Sequence, residues 1–145
     1  MSDAAASPSP EQPLAGGCLC GAVRYEITAP PIVALYCHCS RCQRRTGAAA
    51  SANARVPREG FRLLSGGDVL RAYQPPDGAP KAFCTRCGSA VFSGDPEADS
   101  YVGVRLGGLD AGHGIRPQYH QFVDFAAGWE PLSDDGLPRY SGPHR

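Results

Sequence analysis

The seven cysteines of this chain fall into three short clusters, Cys18-x-Cys20, Cys37-x-Cys39-x-x-Cys42 and Cys84-x-x-Cys87, with none elsewhere. Thiolates two or three residues apart turn onto one metal ion, and zinc takes four sulfur or nitrogen ligands in a tetrahedron. Two tetrahedra need eight ligands, so seven thiols fill one and leave the other with three. A closed sulfur site is usually structural, whereas three protein ligands keep a position for water or substrate. The count raises the expectation of two zinc ions per chain, one for folding and one for chemistry.

The rest of the composition is consistent with a domain that relies on such cross-links. The chain has 145 residues, of which Gly 18 and Pro 14 make up over a fifth. That content favours turns and short strands over long helices, and a small loop-rich domain buries limited apolar surface. The 14 basic and 14 acidic side chains cancel, so nucleic acid is not an expected partner. The first residues lack the basic and apolar regions of a signal peptide, and no stretch approaches a membrane span. A reducing cytoplasm is the default location, where CxxC spacing means metal or redox chemistry more often than structural disulfides.

Residues 1–14 are small, polar and proline-rich and read as a disordered tail, leaving 15–145 as the domain. Val23, Tyr25 and Ile27 alternate with Arg24 and Glu26, the period of a half-buried strand. Residues 32–36 are an apolar run leading into Cys37. Residues 40–46 suit one or two helical turns stopped by Gly47, and 48–56 a further strand. Residues 61–64 and 69–73 flank Ser65-Gly66-Gly67-Asp68 and read as a hairpin. Residues 81–84 and 89–92 flank a turn carrying Cys84 and Cys87. Residues 101–106 alternate again, 119–125 read as a late strand, and Trp129 reads as core. The expected class is mostly β, antiparallel, with short helical turns.

Cys84-x-x-Cys87-Gly88 has the form of a zinc knuckle, whose glycine permits a positive-φ turn around the metal. A thioredoxin-like redox pair would need a βαβ setting, which the pattern lacks. Cys18-x-Cys20 cannot complete a tetrahedron alone; with Cys84 and Cys87 it makes a four-cysteine site joining distant segments. Cys37, Cys39 and Cys42 are dense enough to hold one metal locally. His38 would have to double back to join them, while His113, His120 and His144 are possible in principle. An open catalytic site and a second structural site completed by a histidine both remain compatible with the spacing. Arg41, Arg44 and Arg45 surround this cluster and could grip substrate carboxylates. His120, in an apolar strand-like stretch, reads as a hydrogen-bonded structural residue.

Taken in order, GGCLCGAVRYE at 16–26, CHCSRCQRRTG at 37–47, FCTRCGSAVF at 83–92, GGLD at 107–110, His120, Trp129 and LPRY at 137–140 resemble the glutathione-dependent formaldehyde-activating enzyme (centromere protein V) family. The resemblance implies a β-tent fold like that of the Mss4-like proteins, stabilised by zinc. It implies Cys18, Cys20, Cys84 and Cys87 as structural zinc ligands, and Cys37, Cys39 and Cys42 as holders of the second zinc. It also implies a carbon–sulfur lyase or synthase acting on an adduct of a thiol, such as glutathione, with formaldehyde or a related small aldehyde. The competing expectation is a non-catalytic zinc-stabilised interaction module. A histidine completing the second site would favour the module; three protein ligands alone would favour the enzyme.

Overall fold

The computed structural model describes residues 7–144. Ten strands form two sheets: β1 (Leu14–Gly17), β2 (Arg24–Ile27), β3 (Val33–Cys37), β4 (Ser51–Pro57), β5 (Phe61–Ser65), β6 (Leu70–Tyr73), β7 (Lys81–Cys84), β8 (Ala90–Ser93), β9 (Tyr101–Arg105) and β10 (His120–Gln121). One α-helix, α1 (Ser40–Thr46), lies between β3 and β4. The smaller sheet has the order β1-β2-β5, and the larger β10-β3-β4-β9-β8-β7-β6. Every pairing is antiparallel except β10 with β3, so the expected mostly-β class holds with one parallel edge.

The core lies where one face of each sheet meets the other. Val23, Tyr25 and Ile27, the apolar half of the first alternating segment, are fully buried. They pack in one cluster with Ala54, Val56, Val102 and Val104. Phe61 bridges the layers, its ring 5.3 Å from Tyr25 and 4.9 Å from Phe92. Each fully buried aliphatic side chain of this kind contributes about 1.5–3 kcal/mol.

Several expectations change at the level of partners. Residues 61–64 and 69–73 are strands, but not a hairpin: β5 pairs with β2 and β6 with β7. The intervening turn passes the chain from one sheet to the other. Gly66 holds φ 87 against the backbone of Ala22 and Val23, where a Cβ would fall 2.5 Å from a carbonyl oxygen. The late strand expected over 119–125 shortens to β10, because Phe122 turns left-handed at φ 58 and diverts the chain into a 3₁₀ turn, Val123–Phe125. Trp129 is 68% exposed rather than core, and lies against Ser40, Gln43 and Arg44. Of the expected tail, 1–6 lie outside the described residues. Ser9 and Gln12 exchange backbone hydrogen bonds, and Leu14 already belongs to β1.

The 3₁₀ turn Leu106–Gly108 that follows β9 approaches β1 closely at Gly16, where a Cβ would meet the Gly108 carbonyl oxygen and the Tyr25 hydroxyl, each at 2.6 Å. Neither a backbone oxygen nor a fully buried ring yields easily. Gly16→Ala is expected to cost about 1–3 kcal/mol in urea unfolding of the metal-loaded protein. Gly107→Ala, with nothing within 4 Å, is expected to change stability by less than about 0.5 kcal/mol.

Candidate metal centre and its cleft

The sulfur atoms of Cys18, Cys20, Cys84 and Cys87 lie within 4.8 Å of one another, a group that could hold a metal ion. Two tight turns bring them together. Cys18 and Cys20 follow β1, where the Gly21 amide donates to the Cys18 carbonyl and Gly21 sits at φ 81. Cys84 ends β7, and the Gly88 amide closes the next turn onto the Cys84 carbonyl at 2.7 Å, with Gly88 at φ 77. The knuckle glycine thus holds the positive φ its sequence position demands. The Val23 amide donates to the Cys18 sulfur at 3.3 Å, and the Leu19 amide to the Ser89 hydroxyl at 3.0 Å. Hydrogen bonding by the Ser89 hydroxyl and amide draws the Cys87 thiol down to about 5, so this sulfur carries charge at neutral pH. The group joins the end of β1 in one sheet to the β7–β8 turn of the other.

Cys37, Cys39 and Cys42 form a second group by the same criterion. Cys37 is the buried last residue of β3. Cys39 is the N-cap of α1, its sulfur accepting from the Cys42 amide at 3.4 Å. Cys42 stands one turn along the helix, which ends where expected, with Gly47 left-handed at φ 67. The Gln43 amide side chain donates to the carbonyls of His38 and Phe125, both at 2.8 Å, fixing the helix over the 3₁₀ turn. Hydrogen bonds from the Cys37 and Cys42 thiols hold the Cys39 thiol far below its ordinary value, while the same contacts drive Cys37 upward. Three sulfurs packed this closely favour a shared cation over three separate protons.

No histidine belongs to either group among the described residues. His38 turns away from the flanking thiols into a buried chain of hydrogen bonds. His38 Nε2 lies 2.8 Å from His120 Nδ1, and His120 Nε2 lies 2.7 Å from Asp135 Oδ2. The carboxylate only accepts, so His120 donates from Nε2, and its Nδ1 accepts from His38 Nε2–H. Burial above all pushes the His38 pKa down. The His120 bond, with the Leu137 amide, pulls Asp135 to about 2. His120 is therefore the structural residue its setting suggested, with Asp135 a partner that sequence reasoning missed. His113 accepts from the Ile115 amide, and His144 stacks on Tyr140 at 3.7 Å.

The three-sulfur group opens onto a cleft of about 1210 Å³. Phe122 and Phe125 form an apolar rim, and Arg45, Lys81 and Arg105 line its interior. Of the arginines expected to grip a substrate, Arg41 is committed to Asp77, donating to its carbonyl at 2.8 Å and its carboxylate at 2.6 Å. Arg44 is exposed, lining both this cleft and a shallow pocket beside Trp129. Arg45 enters the cleft, where burial and the nearby Arg105 lower its pKa. Burial likewise lowers Lys81 and Arg105, against the opposing pull of the cysteine thiolates. Sequence reasoning missed Lys81 and Arg105. Their only signal is a cationic side chain at the polar position of an alternating strand.

A model of the family described as glutathione-dependent formaldehyde-activating enzyme matches residues 13–124. The chain belongs to this family. A Halomonas elongata protein given the provisional name of glutathione-dependent formaldehyde-activating enzyme is 33% identical over 104 residues, 68% of this chain and 66% of that protein. The chain thus spans just under two thirds of that relative's length. A crystal structure of a Rhodobacter sphaeroides protein matches with a TM-score of 0.58 at 24% identity, covering 87% of this chain and 98% of that one. At that identity the likeness is one of fold. Residues 13–124 contain all three cysteine clusters and the cleft cations Arg45, Lys81 and Arg105, and end before Phe125 and Asp135.

His120→Phe keeps a ring beside Tyr36, whose centroid lies 4.8 Å away, but leaves His38 and Asp135 without their shared partner. It is expected to cost about 1–3 kcal/mol in urea unfolding. Metal content measured by mass spectrometry should remain unchanged, because neither sulfur group includes His120.

Proposed function

We propose that this protein is a zinc-dependent enzyme that makes or breaks a carbon–sulfur bond in the adduct of a thiol, such as glutathione, with formaldehyde or a related small aldehyde. The observation that carries the reading is the three-sulfur group at the cleft, which no fourth side chain joins among the described residues. A purely structural zinc site is closed by protein ligands, and the four-sulfur group between the sheets matches that pattern. Family membership supplies the thiol and the aldehyde.

The donor sets suit zinc in both places. Cys18, Cys20, Cys84 and Cys87 would hold one ion, and Cys37, Cys39 and Cys42 the second. When bound at the three cysteines, zinc supplies a positive charge that acidifies a thiol and favours its thiolate. The protein does the rest. Cys39 is held as a thiolate by its neighbours, Phe122 and Phe125 screen one side of the cleft, and the interior cations favour negative charge.

In the synthetic direction the substrate sulfur lone pair forms the bond to the carbonyl carbon. The carbonyl π pair moves onto oxygen, and the proton lost from the thiol ends on that oxygen. Nothing is oxidised or reduced, and the reverse reaction retraces the path. Cations lining the same cleft would stabilise an oxyanion developing there.

Cys39→Ser tests this reading. Turnover of glutathione and formaldehyde, followed by NMR of the hydroxymethyl adduct, should be lost. Metal should fall from about two equivalents to about one while the chain stays folded on its four-sulfur group. Undiminished turnover in that variant would reject the enzyme, and full metal loading of the wild type without turnover would favour the interaction module.

A further inference from the structure

The register of the larger sheet builds the cleft floor from side chains that are scattered in sequence. Antiparallel partners point to the same face. Lys81 pairs with Ser93, Ser93 with Gly103, and Gly103 with Arg55, giving one transverse row. In a neighbouring row Arg105 pairs with Asn53. Cys37 and Ser51 end the same face. Gly103 leaves a gap in the middle of the first row: a Cβ there would have only the Ser93 Cβ within 4 Å, at 3.8 Å.

The cations around this gap are incompletely satisfied. Arg105 donates from Nη1 to the Asn53 side-chain oxygen and from Nη2 to the Ser93 hydroxyl at 3.5 Å. Its buried Nε has no partner. Lys81 Nζ donates only to the Ser93 hydroxyl, at 3.4 Å. Arg45 Nε and Nη2 are both buried without a partner. Among the described residues none of the three has a carboxylate within ion-pair distance. Of the acids lining the cleft, Asp77 is taken by Arg41, and Asp99 accepts the Asp95 amide. A buried guanidinium nitrogen left unpaired costs free energy that an anion would recover.

Neutralising the nearby thiolates does not account for all three charges. Three thiolates holding one divalent ion would carry a single net negative charge, so these three cations leave a surplus of two even before Arg55, which lies over the Tyr101 ring at 5.4 Å, is counted. Formaldehyde alone brings no charge to meet it.

We propose that Arg45, Lys81 and Arg105 form a carboxylate-binding subsite around the Gly103 gap, restricting the reaction at the three-cysteine group to an anionic thiol adduct. This rests on the reading of that group as the reacting centre. The carboxylate could come from the thiol, as in glutathione, or from the carbonyl partner, as in an oxo acid such as glyoxylate.

The test uses calorimetric titration of the zinc-loaded full chain with three probes: glutathione, glutathione diethyl ester and glyoxylate. Glutathione should bind at least about tenfold more tightly than its diester. Arg105→Gln and Lys81→Gln should each weaken glutathione by about tenfold, with diester affinity and zinc content unchanged. Gly103→Val, which fills the gap against little more than Ser93, should weaken the carboxylate probes without loss of fold. If bound glutathione excludes glyoxylate, the carboxylate belongs to the thiol. If glyoxylate binds beside it and is lost in Arg105→Gln, the carboxylate belongs to the carbonyl partner. Equal affinity for glutathione and its diester, or zinc loss in both glutamine variants, would overturn the subsite and leave the cations as thiolate counter-ions. Carboxylate binding that depends on Arg105, in a wild type without turnover, would uphold the subsite and reject the enzyme reading instead.

Discussion

The two sheets are joined at four thiols that could share one ion. Cys18 and Cys20 leave the edge of the smaller sheet, and Cys84 and Cys87 sit in a hairpin of the larger one. The buried core between the sheets is built mostly from valine and alanine, with single larger rings at Tyr25, Phe61 and Phe92. A core of such small side chains buries little area per residue, so a metal cross-link between the layers would stabilise them more than it would in a larger domain. The opposite face of the seven-stranded sheet lines the cleft.

That sheet carries two incompatible environments back to back. Ala54, Val56, Val102 and Val104 point into the core, while Asn53, Arg55, Gly103 and Arg105 point the other way. The period-two alternation of a strand makes this possible, since neighbouring residues on one strand face opposite sides. The cleft thereby gains fixed cations on rigid strands, next to thiolates presented by a strand end and a helix cap. A positive floor thus lies beside a negative sulfur group.

The C-terminal segment steadies this arrangement from outside. Its backbone runs beside His120, with Pro138 accepting the His120 amide and Tyr140 donating to the His120 carbonyl, both at 2.9 Å. Asp135, His120 and His38 then connect the segment to the backbone between Cys37 and Cys39. A thiol-bearing loop that must hold its sulfurs at fixed separations benefits from this second anchor, because its helix is only two turns long.

Much of this was legible in the chain itself. Thiol spacing separated a group of four sulfurs from a group of three, Gly47 and Gly88 marked turns that take positive φ, and alternation found most of the strands. These are local constraints, written within a few residues by the steric freedom of glycine and the period of the backbone. Partner choice was not local. β5 turned to β2 instead of β6 because Phe61 packs between Tyr25 and Phe92, far from it in sequence. Phe122 ended a promising strand, and Trp129 stayed at the surface. The meeting of Arg45, Lys81 and Arg105, and of Asp135 with His120, depends on registers that no window of sequence contains. The sequence by itself determined which thiols gather into groups that could hold a metal; the tertiary structure decided which charges face them, because side chains far apart in the chain become neighbours only when the sheet closes.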